Sequence, residues 1–208
     1  MGTEMKRITL TALLLALLLL LGSCGSRFER DAEGLGYTDG KTDVYYTALP
    51  SAFEAGRAGD AVGEYTDKKY DRTVTFYLIP ELDGARFLTD DNGYVYCADP
   101  AVADAAKWQP SALLICEEDA ISVEQARLTA SEELAAFHSA WFLGEESELP
   151  LQKASYFRRL KMACAAYPNL YYCVNFYYYE DGSAYFYDTE AGRAVVCPEA
   201  LVPLLYLT

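Results

Sequence analysis

Between residues 44 and 117 the apolar positions come in short runs of β-branched and aromatic side chains at 44–47, 73–79, 86–89, 94–97 and 113–116, separated by turn formers. Runs of this length and composition predict strands. Asp90-Asp91-Asn92-Gly93 joins two of them as a hairpin turn, because Asn and Gly tolerate positive φ. From Ser122 the period lengthens. Ser122 with Gln125 makes a capping-box pair, and Leu134, Phe137 and Trp141 recur at helical spacing, which predicts a helix over 123–142. Thr129 with Glu132 repeats the capping signal and allows that element to break in two. Pro150 suits the first position of a second helix, with Leu151, Ala154, Phe157, Leu160 and Cys164 on one side and Pro168 as its stop. The two helices form a hairpin. Strands return at 170–179, 184–188 and 194–197 as a C-terminal three-stranded meander. Strands flanking a helix pair predict an α+β fold, an antiparallel sheet with an inserted two-helix hairpin packed on one side.

In the meander a two-residue turn at Asp181-Gly182 sets Tyr178 against Tyr185 and Phe176 against Tyr187, and a four-residue turn then sets Phe186 against Val195. Leu170, Tyr172, Val174, Phe176, Tyr178, Tyr185, Tyr187 and Val196 become the core face. Tyr171, Cys173, Asn175, Tyr177, Tyr179, Phe186, Val195 and Cys197 become the other face. Cys173 and Cys197 share that second face but lie about 20 Å apart along the strands, too far for a bridge. Eight of the 18 tyrosines lie between Tyr167 and Tyr187. Tyr171, Asn175, Tyr177 and Tyr179 are therefore the candidate recognition ridge, since exposed aromatic rings with an amide can stack on sugar or clasp a peptide.

Composition narrows the function classes. An apolar fraction of 52% argues for a packed core, and a net charge of −14 repels the phosphate backbone, so nucleic acid is not an expected partner. Six cysteines without a CxxC pair and a single histidine do not make a zinc site, and no metal or cofactor is expected. Cys97, Cys116, Cys164, Cys173 and Cys197 read as buried thiols. Neither G-x-S-x-G nor a P-loop occurs. The one nucleophile and base pairing open to this chain is Cys164 with His138, on neighbouring predicted helices, although His138 falls on an apolar stripe and reads first as a packing residue. Lys153, Arg158, Arg159 and Lys161 cluster on the second predicted helix as a solvated face or a dock for an acidic partner.

The N-terminus carries the most specific signal. Lys6 and Arg7 precede an apolar run over residues 10–21 broken only by Thr11, and Leu21-Gly22-Ser23-Cys24 closes it. A dozen apolar residues are too few to span a bilayer and suit a secretory signal. The small residues before the cysteine resemble the lipobox of bacterial lipoproteins. That resemblance covers residues 5–24 and implies cleavage before Cys24 and diacylglycerol on its sulfur. Residues 1–23 are then the signal, 24–43 a lipidated cysteine and Gly-rich flexible tether with a root-mean-square span of roughly 25 Å, and 44–208 a single acidic domain. The expected protein is a lipoprotein on the extracytoplasmic face of the cell membrane. Its expected role is that of a non-catalytic binding module whose candidate partners are an envelope protein, peptide or glycan. The rival classes are an envelope enzyme, Cys-dependent or a carboxylate hydrolase, and a structural or assembly subunit.

Overall fold

The structure, a computed structural model, describes residues 25–118 and 122–206. The expected signal and the expected lipidation site Cys24 lie outside the described residues. In chain order the first strands are β1 (Ser26–Arg30), β2 (Gly36–Asp39), β3 (Tyr45–Ala48), β4 (Phe53–Ala55), β5 (Ala61–Asp67), β6 (Arg72–Leu78), β7 (Phe87–Asp90) and β8 (Val95–Cys97). All but β4 close into a seven-stranded barrel in the order β1-β2-β3-β8-β7-β6-β5. Neighbours are antiparallel except at the seam, where β1 runs parallel to β5 with Ser26 beside Gly63 and Arg27 beside Glu64. Closure removes the unpaired edges that an open sheet would present.

The barrel interior is filled by rings. Phe28, Tyr37, Tyr46, Val74, Phe76, Leu88 and Tyr96 form one buried cluster. Phe76 sits 4.3 Å from Phe28, 4.9 Å from Tyr37 and 5.4 Å from Tyr96, ring centre to ring centre. Residues 26–39, expected in the tether, thus supply β1 and β2 and bury Phe28 and Tyr37. Glycine content suggested a linker, but Gly36 is required by close approach: a Cβ there would meet the Tyr46 carbonyl at 2.4 Å.

The second half opens with two 3-10 turns (Pro100–Ala103 and Ala105–Lys107) and builds a larger sheet from β9 (Pro110–Glu118), β10 (Ser122–Leu128), β11 (Glu146–Ser147), β12 (Tyr156–Cys164), β13 (Leu170–Tyr178), β14 (Ala184–Asp188) and β15 (Arg193–Val196). The strand order is β10-β9-β12-β13-β14-β15-β11. The barrel's β4 joins the edge of β13 at Leu170–Tyr172, end to end with β14, which pairs at Asn175–Tyr178. Helix α1 (Ser131–Leu143) turns Leu134, Phe137 and Trp141 into the core and touches both β9 and β15, so the sheet curls around it. A short α2 (Val202–Leu205) ends the described chain.

The α+β expectation with an inserted helical hairpin is overturned. The molecule is mostly β, a closed barrel beside a second sheet, with two α-helices among the described residues. The first predicted helix begins as the edge strand β10 and turns helical only from Ser131, close to the repeated capping signal. The second is strand β12, paired along its length with β9 and β13. Leu151, Ala154, Phe157 and Leu160 do fall at helical spacing, but Tyr156, Leu160, Met162 and Cys164 also alternate, and a slot between two strands satisfies both backbone edges only for the extended form.

The meander exists, with a shifted first register. Tyr178 faces Ala184, Tyr177 faces Tyr185 and Phe176 faces Phe186, while Phe186 opposite Val195 stands as expected. The connection is five residues long, closed by the Tyr179 N–H donating to the Ser183 carbonyl. A one-residue slip exchanges faces. Phe186 and Val195 therefore join Leu170, Val174 and Phe176 inside, and Tyr185, Tyr187 and Val196 go outside. Cys173 and Cys197 end on opposite faces, both as free thiols.

Barrel and sheet share one core. Leu49, Phe87, Val95 and Cys97 from barrel strands and their flanks meet Leu113, Leu160, Val174, Phe176 and Phe186 from the sheet. An aromatic seam joins them: Phe53 lies 5.7 Å from Trp108 and 5.3 Å from Tyr172, and Tyr167 lies 5.1 Å from Trp108 and 5.8 Å from Phe87.

The barrel seam makes a sharp prediction. A Cβ on Gly63 would stand 2.1 Å from the Ser26 carbonyl oxygen and 2.8 Å from the Phe28 ring. Gly63→Ala should force β1 off β5 and lower stability by about 1–3 kcal/mol, measured by urea unfolding. Unchanged stability would show that the seam is looser than this geometry.

Candidate functional site

One face of the curled sheet holds α1, and the other is turned away from it. Its residues are set by strand alternation, and cross-strand pairing sorts them into rows. Phe157 on β12, Tyr177 on β13, Tyr185 on β14 and Val196 on β15 are successive partners across four strands. Phe157 is 48% exposed and Val196 56% exposed, so both ends of this aromatic stripe are open to water. The next row carries Arg159, Asn175 and Tyr187, and the one beyond it Lys161 and Cys173. Tyr177 leans on Phe157 at 6.4 Å and on Tyr187 at 5.6 Å.

Beside the stripe lies a half-buried ion cluster. Glu54 on β4 accepts a hydrogen bond from Lys161 at 2.6 Å and from the Arg159 guanidinium. Arg159 also reaches the Asn175 amide oxygen at 3.3 Å and lies 3.8 Å from Glu118. The Asn175 amide nitrogen donates to the Thr189 hydroxyl at 3.0 Å. Burial opposes charge on Glu54 most strongly, yet the Lys161 hydrogen bond and the nearby Arg159 outweigh it and hold the carboxyl below its ordinary value. Burial opposes the Lys161 ammonium in the same way, and Glu54 more than compensates, raising it. The Cys173 thiol beneath is pushed well up, first by burial and then by Glu54. Two cations meet two carboxylates, so the face is charge-balanced in a chain of net charge −14.

The four residues singled out from sequence share this face but differ in availability. Tyr177 is in the aromatic stripe and Asn175 in the polar row. Tyr171 packs against the buried group Ala112, Leu114 and Cys116. Tyr179 is only 3% exposed and lies 5.8 Å from Tyr185. Phe157, Tyr185, Val196, Glu54 and Lys161 complete the face and were not read from sequence as part of it. Phe157-x-Arg159-x-Lys161 did carry a period-two signal. Arg158, grouped with the basic residues, points the other way and lies 4.3 Å over the Tyr156 ring.

On this face Glu54 is held by two cations and the Cys173 thiol is buried. Cys164 and His138 are not hydrogen-bonded to each other. Cys164 lies on a strand, at the register shift opposite Pro110, and lines a cleft with Trp108, Gln109 and Tyr167. His138 rests against Phe142 at 4.7 Å, and its Nε2 is buried without a partner. Burial pushes the Cys197 thiol up to about 12 and also raises Cys97 and Cys116. Among the described residues no three His, Cys, Asp or Glu side chains gather to hold a metal ion, and no helix is long and apolar enough to cross a membrane.

Comparison with known proteins returns no family model, no curated protein and no solved structure that matches this chain.

The cluster predicts an acid-linked loss of stability. Glu54 ionises more readily in the folded chain than at its ordinary value of 4.5, so its contribution is complete above that pH and fades as pH falls through the lower folded value. Glu54→Gln should cost about 1–3 kcal/mol at neutral pH, since Arg159 and Lys161 lose a partner while half-buried. The difference from the parent should close in acid. Chemical denaturation across pH tests this, and a pH-independent difference would sink the assignment.

Proposed function

We propose that this protein is a non-catalytic binding module of the cell envelope, held to the extracytoplasmic face of the membrane by lipid on Cys24, and that the outer sheet face docks an envelope protein. The single observation that supports the docking role is the Phe157-Tyr177-Tyr185-Val196 stripe, open to water at both ends beside a charge-balanced cluster. An exposed ring and an exposed valine flanking two half-buried tyrosines cost solvation in the free chain and return it when covered. Elsewhere the acidic surface repels an acidic neighbour, whereas this face does not. A broad sheet surface fits a protein partner better than a small molecule, which needs a concave site. The reading of the anchor rests on the apolar run and the Leu21-Gly22-Ser23-Cys24 ending.

Two experiments separate anchor from face. Cys24→Ala should abolish incorporation of labelled fatty acid and release the chain from membranes, and retained label would end the lipid assignment. For the face, a photoreactive side chain at position 157 should cross-link one defined envelope protein in cells, while the same group at exposed position 33 should not. Tyr177→Ala with Tyr185→Ala should weaken that capture by on the order of tenfold or more while melting stays cooperative. Equal products from both positions, or none, would overturn the docking role.

A further inference from the structure

Away from the sheet, the barrel has two ends of different character. At the start of β1 a cleft of about 660 Å³ is lined by apolar residues such as Phe28, Val44 and Leu88 together with polar ones such as Asp39 and Thr42. At the far end, where β1 finishes, a cleft of about 540 Å³ is lined by five tyrosines together with Arg30 and Arg72. Tyr37 and Tyr96 make its floor, edge to face at 5.5 Å, and Tyr65 stands 5.3 Å from Tyr37. Tyr70 and Tyr94 are 69% and 52% exposed at the rim. Neither supports the core; the Lys69 ammonium lies 4.9 Å from the centre of the Tyr70 ring, and Tyr94 offers its ring to the solvent above the cleft.

The carboxylates of this cleft are occupied from within. Asp90 is buried and accepts from the Asn92 and Tyr94 N–H groups and from the Tyr96 hydroxyl at 3.0 Å. Asp67 accepts from the N–H groups of Lys69 and Tyr70, which forms the turn that lifts Tyr70 to the rim. The arginines make no direct ion pair. Arg30 donates to the Gly34 carbonyl at 3.2 Å and Arg72 to the Asn92 amide oxygen at 2.7 Å, and neither has a carboxylate within ion-pair distance among the described residues. Both bear on the Tyr37 hydroxyl: burial raises it most, Tyr65 and Asp90 add to the rise, and Arg30 and Arg72 pull against it. Asp67 and Asp90 line the same cleft and balance the two guanidiniums in formal charge. Asp90, however, is turned to N–H groups and the Tyr96 hydroxyl, and Asp67 to the Lys69 and Tyr70 N–H groups, so the guanidinium forks are what the cleft offers to an anion.

We infer that this cleft binds an acidic saccharide, a sugar ring carrying a carboxylate. The ring lies against the Tyr70 or Tyr94 face, and the carboxylate is taken by the forks of Arg30 and Arg72. The hydroxyls of Tyr70 and Tyr94 at the rim meet the sugar hydroxyls. A neutral sugar would leave the two forks unanswered, and an aliphatic acid would leave the rim rings bare. The inference does not depend on the sheet face, which lies on a different part of the molecule.

The test uses the full chain in detergent on an array of hexuronate-containing, neutral and phosphorylated oligosaccharides, followed by calorimetric titration of the hexuronate that binds. Retention of hexuronates over neutral sugars of the same linkage is expected, with affinity falling as salt rises. Arg72→Gln and Tyr70→Ala should each weaken binding by about tenfold or more, with the melting temperature unchanged. Should either variant melt early, Arg72→Lys reads the same contact, because it keeps the charge and loses the fork. An empty array, equal retention of neutral sugars, capture of phosphorylated sugars alone, or full binding by Arg72→Gln and Arg72→Lys would each overturn the inference.

Discussion

Phe53 and Glu54 are consecutive residues on a strand of three, and between them they hold the two halves of the molecule together. Phe53 turns inward to Trp108 and Tyr172. Glu54 turns outward to Arg159 and Lys161. Alternation of side chains along an extended backbone makes this division automatic. Because β4 leaves the barrel to pair with β13, the barrel cannot turn against the sheet without breaking both an aromatic packing layer and a half-buried ion cluster. The sheet's outer face depends on the same strand, since without Glu54 Lys161 would lose its carboxylate and Arg159 would keep only the more distant Glu118.

Local signals carried a good part of this structure. The strands near 73–79, 86–89 and 94–97 were legible because short β-branched and aromatic runs lay between turn formers. The stripe Leu134, Phe137 and Trp141 was legible because nothing but a helix puts those three on one side. Where the sequence misled, two periodicities coexisted. Residues 151–164 satisfy a helical stripe and a strand alternation at once, and the choice is made by β9 and β13, which need a partner between them. Ser122–Leu128 is rich in good helix formers, and its extended form comes from pairing with β9. The polar Gly-rich stretch after Cys24 hid β1 and β2, whose partners β5 and β3 lie further along the chain.

The outer face was half legible. Alternation placed Tyr171, Asn175, Tyr177 and Tyr179 together, but which strand residues lay beside them depended on one residue of loop length. A two-residue loop buries Tyr185 and Tyr187; the five-residue connection buries Phe186 and Val195 and turns the tyrosines out. Burial could not be read at all for Tyr179, whose packing on Tyr185 arises only once the connection is folded. The far cleft was invisible for a plainer reason. Arg30, Tyr37, Arg72 and Tyr96 come from four strands, and only closure of the barrel brings them to one end.

The parallel seam between β1 and β5 also fixes how the domain would bear a load. Position 25 enters β1 directly, and β1 is bonded on one side to β2 and on the other to β5. A pull on the chain from a lipid anchor would run along the strand axis. Hydrogen bonds of both neighbours lie across that direction, so they would resist together in shear rather than open one at a time like a zipper. The first strand of the barrel is in that sense a mechanical root for the rest of the molecule.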